Sequence, residues 1–261
     1  MTCGEMTNSM SGSKSNSSQP SWKELFAYFP TATPELAARR DLQRRNDTKF
    51  VLPSALLGEL TSALVKDYAA LAPADLYRTL YFDTAALDLF HAHRCGRRLR
   101  HKVRIRIHPE RQRAFLEIKT RQSELLTVKI RRPRSTEETS LSKDDQDFVR
   151  AHTGLSSVLP QVWSIYRRLT LIGFQANERV TIDLELRFEK GGNIYPMHPL
   201  AIVEVKQWPF SRLTPAMTAL RAMGIRPAWS SKYCTAIHCT HSGLRCNRFL
   251  PGLRALEKVA A

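Results

Sequence analysis

The sequence predicts a mainly β, α+β protein: an antiparallel closed sheet of about eight strands, with its helices outside. Two observations carry this reading. Runs of alternating apolar and polar residues recur along most of the chain, whereas helical stripes are few and short. The connections between strand candidates are also local, as antiparallel neighbours allow. At 261 residues, with 43% apolar and 25% charged side chains, the chain can bury one sizeable core.

Taken in order, residues 1–20, "MTCGEMTNSMSGSKSNSSQP", nearly lack large apolar groups and are expected to be disordered. Within 21–40, "SWKELFAYFP" predicts a short amphipathic helical lead-in docked on the body. The charged "ELAARRDLQRRND" leads to the first strand, "RRNDTKFVLP". After Pro53, "SALLGELTSALVKDYAAL" places Leu56, Leu57, Leu60, Leu64 and Tyr68 on one helical stripe, with Ser54 as cap. The strand "LYRTLYFDT" precedes a short helix or turn, "AALDLFHAHRCG", and the strands "RLRHKVRIRIH", "AFLEIKT" and "LLTVKIRRP" follow. "SLSKDDQDFVRAHTG" is a capped helix, with Ser142 or Asp144 at its start and Gly154 at its end. "VWSIYRRLTLIG", "RVTIDLELRFEK", "PLAIVEVKQWP", a helix around "PAMTALRAMG" and "AWSSKYCTAIH" complete a body over 41–237, and 238–261 reads as a C-terminal tail. Gly191-Gly192-Asn193 is a turn, not a phosphate loop.

Lys and Arg number 40 against 24 acids, a formal charge of +16, which attracts polyanions: nucleic acid, acidic lipid or phosphate chains. Nucleic acid is the weakest of these, because the basic strands show no aromatic stacking platform. The cysteines Cys3, Cys95, Cys234, Cys239 and Cys246 are odd in number and follow no framework spacing. "YCTAIHCTHSGLRC", with His238 and His241 among its cysteines, fits no standard zinc pattern. No signal-like segment and no apolar run near the ~20 residues of a membrane helix is seen. A reducing, cytoplasmic protein without its own membrane anchor is therefore expected.

Period two assigns the charges to faces. Lys102, Arg104 and Arg106 oppose Val103, Ile105 and Ile107, and Lys129 and Arg131 oppose Val128 and Ile130. Val180, Ile182, Leu184, Leu186 and Phe188 oppose Arg179, Thr181, Asp183, Glu185 and Arg187, while Glu204 and Lys206 oppose Val203 and Val205. Two arrangements fit: charged faces in water around an apolar core, or a wide barrel whose interior carries the charges beneath outer helices. Repetition favours the second. Asp47-x-Lys49, Glu117-x-Lys119 and Glu204-x-Lys206 recur, as do Arg104-x-Arg106 and Arg167-Arg168. Facing one another across a lumen, such groups are unfavourable when empty and favourable around a polyphosphate with its metal ions.

The ordered motifs R-x-D-x-K-F (45–50), Y-F-D-T (81–84), K-V-R-I-R-I (102–107), F-L-E-I-K (115–119), Y-R-R (166–168), R-V-T-I-D (179–183), V-E-V-K (203–206) and S-K-Y (231–233) resemble the VTC domain. That is the polyphosphate polymerase domain of the vacuolar transporter chaperone complex, here of the bacterial stand-alone type. It belongs to the triphosphate tunnel metalloenzyme, or CYTH, superfamily. The resemblance implies an eight-stranded antiparallel tunnel barrel whose lumen binds tri- or polyphosphate. It places the family's functional cations on Lys49, Arg104, Arg106, Lys119, Arg168, Arg179 and Lys232, and its metal-associated glutamate on Glu204 beside Lys206. The first strand departs from the superfamily's E-x-E-x-K, carrying Arg45, Asp47 and Lys49. This departure weakens inferences about metal number and disfavours simple triphosphatase activity. No phosphate-sensing SPX domain is recognisable, so coupling to translocation would need a membrane partner protein.

On this reading Arg104, Arg106, Lys119, Arg168, Arg179 and Lys232 clamp successive phosphates. Lys49 and Lys206 complete the catalytic cations. Glu204, with Glu117 or Asp47, would hold Mg²⁺ or Mn²⁺. The expected reaction moves the terminal phosphoryl of ATP onto a polyphosphate chain. The alternatives are a triphosphatase, with water as acceptor, and a non-catalytic polyanion-binding module. Lys129, Arg131 and Arg45 are evenly divided between the lumen and a solvated face. Arg111, Arg113, Arg132 and Arg134 are expected in solvent near turns, and Asp83 and Thr84 at a strand end.

Overall fold

The computed structural model describes residues 22–40, 42, 45–71, 74–123, 126–197, 199–245 and 249. The expected disordered segment 1–20, Cys3, Cys246 and most of the C-terminal tail lie outside the described residues. The strands are β1 (Asn46–Pro53), β2 (Tyr68–Ala70), β3 (Asp75–Asp83), β4 (Arg100–His108), β5 (Arg113–Arg121), β6 (Thr127–Arg134), β7 (Leu159–Gly173), β8 (Glu178–Lys190), β9 (Asn193–Pro196) and β10 (Leu200–Gln207). They form one antiparallel sheet in the order β1-β10-β8-β7-β3-β4-β5-β6, with β2 added to β7 and β9 to β8. All eight strands expected from the alternation are present. The sheet is curled into a tunnel-like wall rather than closed by strand pairing. On β1, the segment after α6 takes over this role: Phe50 bridges Pro227, and the Ala228 N–H donates to the Lys49 carbonyl at 2.8 Å.

Among the described residues seven helices flank the sheet: α1 (Trp22–Ala27), α2 (Pro34–Arg39), α3 (Leu57–Leu64), α4 (Asp88–Arg94), α5 (Lys143–Thr153), α6 (Pro215–Ala222) and α7 (Lys232–Thr240). The lead-in docks as expected, with Leu25, Phe26 and Phe29 buried against Leu57, Leu60 and Leu64 of α3. These residues and α6 cover Phe50, Leu52, Val180, Ile182, Leu184, Val203 and Val205, one apolar face of β1, β8 and β10. A second apolar cluster buries Val103, Ile105, Ile107, Leu116 and Ile118 of β4 and β5 with Phe90 of α4 and Val149 of α5. Helix α5 has the expected ends. The Ser142 hydroxyl accepts from the Asp145 N–H at 3.2 Å, the Asp145 carboxylate accepts from the Ser142 N–H at 3.0 Å, and Gly154 stops the helix at φ 74°.

Three expectations are corrected here. The helix after Pro53 is shorter than its apolar stripe: a 3₁₀ turn occupies Ser54–Leu56, Ser54 makes no side-chain cap, and Tyr68 belongs to β2. Tyr68 instead donates its hydroxyl to buried Glu178, which also accepts from Gln207 at 2.8 Å and from the Ala216 N–H at 3.3 Å. The five apolar residues of β8 do not share one face. The β7–β8 register shifts after Ile165, and Glu185 has φ 51°, so Leu186 and Phe188 turn into the cluster around α7 while Val180, Ile182 and Leu184 stay outside. Arg134 is not solvated. Its side chain is 5% exposed and bonds Asp145, Glu138 and the Ser140 carbonyl.

Helix α7 seals one end of the curled sheet. Tyr233, Cys234, Ala236 and Ile237 pack with Val51, Tyr81, Leu186, Phe188 and Ile202. Asp83, fully buried at the end of β3, fastens this end. It accepts from the N–H groups of Thr84 at 2.8 Å, Leu89 at 2.8 Å and Phe90 at 3.0 Å, and from the Tyr233 hydroxyl. The strand-end residue is thus the cap of α4 and the anchor of α7 together. Asp83→Ala leaves four donors unpaired and should cost about 3 kcal/mol, with Tyr233→Phe costing about 1 kcal/mol, in urea denaturation.

Candidate active site

Register decides which side chains meet. On one wall Lys49 of β1 lies opposite Glu204 of β10, which lies opposite Thr181 of β8; Asp47, Lys206 and Arg179 align in the next row. Asp183 of β8 pairs with Arg168 of β7, and Arg168 with Asp75 of β3. On the other wall Tyr81 lies opposite Arg104, Arg104 opposite Glu117, and Glu117 opposite Arg131; Lys102, Lys119 and Lys129 share a row. The strands β1 and β5 are nearly at opposite ends of the sheet order. Yet the consecutive residues Ser230, Ser231 and Lys232 bond Lys49 of β1, Lys102 of β4, where it lies opposite Lys119 of β5, and Asp183 of β8, respectively. The two walls therefore face each other across one lumen, and the inward arrangement is the one realised.

Each carboxylate in this lumen is held by cations. The Glu117 side chain, 3% exposed, accepts from Arg104 Nε at 2.8 Å and Nη2 at 2.6 Å, with Arg106 at 3.8 Å and Lys129 at 3.9 Å. Asp183 accepts from Arg168 Nε at 2.6 Å and Nη2 at 2.8 Å, and from Lys232. Burial alone would raise both pKa values; the surrounding cations outweigh it and hold each near 2. Glu204 accepts from Lys206 at 2.5 Å and lies 3.9 Å from Lys49; burial again opposes ionisation, but these cations and Arg168 hold its pKa well below the carboxylate range. Among the lysines, burial lowers Lys102 and Lys119 to about 8, and neighbouring positive charges add to the effect.

Aromatic rings form part of the lining. Tyr77 and Tyr166 stack with centroids 5.3 Å apart. Arg106 lies 5.4 Å from the Tyr77 centroid, Arg168 lies 5.2 Å from Tyr77 and 5.4 Å from Tyr166, and Lys232 lies 4.6 Å from Tyr166. Beside them, Arg106 Nε, Thr79 Oγ1 and Ser164 Oγ are buried without a hydrogen-bond partner among the described residues. Thr79 is the cross-strand neighbour of both Arg106 and Ser164. Such a contiguous row of unmatched polar groups suits a polar guest.

The structure thus brings Lys49, Arg104, Arg106, Lys119, Arg168, Lys206, Lys232, Glu117 and Glu204 to one lumen, with Arg179 and Asp47 in the row of Lys206. Arg45 is turned to Asp47 at 3.0 Å, and Lys129 and Arg131 occupy the β6 edge of the same face. Arg167 separates from Arg168: it points outward to Glu110 and Glu185, as adjacent strand residues must. Arg111 pairs with Asp75 at 2.6 Å, and Arg132 lies over Phe148. Sequence reasoning placed Lys102 and Asp183 on the charged faces without naming them as site residues, and it missed Tyr77 and Tyr166 as lining residues. Parity offered a signal for the first two, since Asp183 shares the face of Arg179 and Lys102 that of Arg104.

Glu204, expected to hold a metal ion with Glu117 or Asp47, does not form one cluster with both of them. No three His, Cys, Asp or Glu side chains converge as a cation cage among the described residues. Glu117 is committed to Arg104 on the opposite wall. An Mg²⁺ or Mn²⁺ ion that draws most of its oxygens from bound phosphates and water needs only one or two carboxylates. Glu204 meets that requirement, with Asp47 diagonal to it across the β1–β10 pair.

The two strongly depressed carboxylates set an acid limit. Their folded pKa values lie below the unfolded ones, so their stabilisation is complete above about pH 4–5 and is lost as pH falls towards 2. Melting temperature followed from pH 6 to 2.5 should fall steeply. Asp183→Asn and Glu117→Gln should each lower it at pH 6 and flatten its acid dependence.

The fold has known counterparts. A Hippeastrum protein described as a candidate adenylyl cyclase superposes with a TM-score of 0.52 at 17% identity, covering 77% of this chain and 99% of that one. A Pyrococcus horikoshii protein gives 0.45 at 10% identity, covering 74% and 96%, and a Vibrio parahaemolyticus protein 0.44 at 10%, covering 74% and 98%. No curated protein matches. The family model of the VTC domain matches residues 44–241, and the chain belongs to that family.

Proposed function

We propose that this protein is a metal-dependent phosphotransferase that moves the terminal phosphoryl group of a nucleoside triphosphate, ATP, onto a polyphosphate chain inside its basic tunnel. The observation that carries the reading is the convergence of cations from both ends of the sheet on one lumen in which the carboxylates are already neutralised. Membership of the VTC family supports it. Phosphoryl transfer asks chiefly for positioning and charge neutralisation, with little covalent work for the protein.

Arg104 and Arg168 are fixed in orientation by their bidentate carboxylate partners, so little of their side-chain order is lost when phosphate oxygens arrive, and Arg106 offers a buried Nε that has no hydrogen-bond partner among the described residues. Lys49, Lys119, Lys206 and Lys232 add point charges from separate strands and α7, and Arg179 stands opposite Lys206. A divalent ion at Glu204 would supply further neutralisation of the phosphate oxygens. The Tyr77–Tyr166 stack shields Arg106, Arg168 and Lys232 from water, which strengthens their pull on an anion. The proposed setting is a reducing cytoplasm, in which Cys95, Cys234 and Cys239 remain thiols. No described helix is long and apolar enough to cross a membrane, so delivery of product across one would use a membrane partner protein.

Hydrolysis is the second reading, because the structurally similar Hippeastrum protein is described as having a dominant triphosphatase activity. Purified protein incubated with ATP and Mn²⁺ separates the readings: polyphosphate chains support polymerisation, free phosphate alone supports hydrolysis, and tight triphosphate binding with neither product leaves a binding module. Glu204→Ala and Lys119→Ala should each reduce chain formation by about 100-fold. Tripolyphosphate at one hundred times its Kd should stabilise the fold by about 2.7 kcal/mol. That gain should shrink on going from low to high salt; an unchanged melting temperature would count against tunnel binding.

A further inference from the structure

Lys102 receives no role from the family motifs, yet its position is unusual. It lies directly opposite Lys119 in the β4–β5 register, and like charges so placed repel. Its hydrogen bond goes to a neutral group, the Ser231 hydroxyl, at 3.0 Å. Lys119 has no hydrogen-bond or ion-pair partner among the described residues. The carboxylates that could balance the pair are engaged elsewhere: Glu117 by Arg104, Asp183 by Arg168 and Lys232, Glu204 by Lys206. The α7 end of the lumen thus holds two adjacent ammonium groups that bond no carboxylate among the described residues, and the first turn of α7 adds its positive dipole there.

Next to it the apolar side chains Val51, Leu186, Phe188 and Ile202 pack with Tyr233 and Ile237 of α7. Beneath Lys232, between Leu186, Phe188, Ile202 and Thr235, about 10 Å³ remains. That is room for no more than one water and excludes a phosphate.

We infer that Lys102, Lys119 and the Ser231 hydroxyl form an end-of-chain subsite, which accepts a terminal phosphate in preference to an internal one. The inference rests on the polyphosphate reading above. An internal phosphate is bridged on both sides and carries a single charge, so it needs an open path in two directions. A terminal phosphate is bridged once and carries up to two charges. A blind end lined by ammonium groups without carboxylate partners matches the second description. The arginine–carboxylate rings further along match the first.

Two small phosphates test this directly. Linear tripolyphosphate has terminal phosphates, whereas in cyclic trimetaphosphate every phosphate is bridged twice. Wild-type protein should bind the linear form more tightly in titration calorimetry. Lys102→Met should weaken the linear form about tenfold, the value of one charge-assisted hydrogen bond, and the cyclic form far less. Lys129→Met, which removes the same charge from the same face beside Glu117, should weaken both alike. Lys119→Met should reproduce the selective loss, and it decides the matter if Lys102→Met fails to fold.

Orthophosphate and a non-hydrolysable ATP analogue distinguish the two sources of a terminal group. Selective loss of orthophosphate in Lys102→Met assigns the subsite to the acceptor, and selective loss of the analogue assigns it to the donor; either supports the inference. Equal weakening of linear and cyclic ligands in both Lys102→Met and Lys119→Met would overturn it. Wild-type protein that bound neither ligand would defeat the polyphosphate reading and this inference together.

Discussion

Mutual repulsion among enclosed cations is the constraint around which the molecule is arranged. Lys49, Lys102, Arg104, Arg106, Lys119, Arg168 and Lys232 share a lumen in which most of them are partly buried, and that crowding opposes folding. Glu117, Asp183 and Glu204 act as internal counterions, distributed over both walls. A buried carboxylate alone would be costly; forked by an arginine, it fixes the guanidinium in one orientation. The carboxylates thus make the empty fold tolerable while leaving the tunnel short of negative charge.

The sheet supplies the means. Strict alternation sends aliphatic side chains outward under α1, α3, α4, α5 and α6, and sends the ionic set inward. Curvature then brings β1 near β5, although five strands intervene in the sheet order. A single irregularity changes the character of the lumen along its length. After the bulge at Glu185, β8 turns Leu186 and Phe188 inward, and the ionic channel gives way to an apolar floor that α7 completes.

The fold was legible because period-two alternation is local and repeated. All eight principal strands, the lead-in helix and the capped helix α5 lie where composition and capping residues place them. Legibility failed where tertiary contacts overrode a local pattern. Tyr68 continues the stripe of α3 but leaves the helix to meet Glu178, a residue far away in sequence. The β8 bulge leaves no mark in a run that alternates without interruption. Arg134 looked like one more cation near a turn, yet Asp145 withdraws it from water. For the site, parity and motif order located Arg104, Arg106, Lys119, Arg168 and Glu204. They could not reveal that Glu117 answers to Arg104 across the β4–β5 pair, nor that Ser231 reaches Lys102.

Chain order has a consequence for assembly. Strand β1 pairs with β10, Asn46 against Gln207, and its other edge is taken by Ala228 just ahead of α7. The contacts that enclose the cations therefore join the two extremes of the domain, and such distant pairings are slow to form. A growing polypeptide still lacking α7 carries the same lysines and arginines on an unclosed surface. There they are hydrated and screened by salt, and a concentrated anion trap comes into being only when synthesis has passed α7.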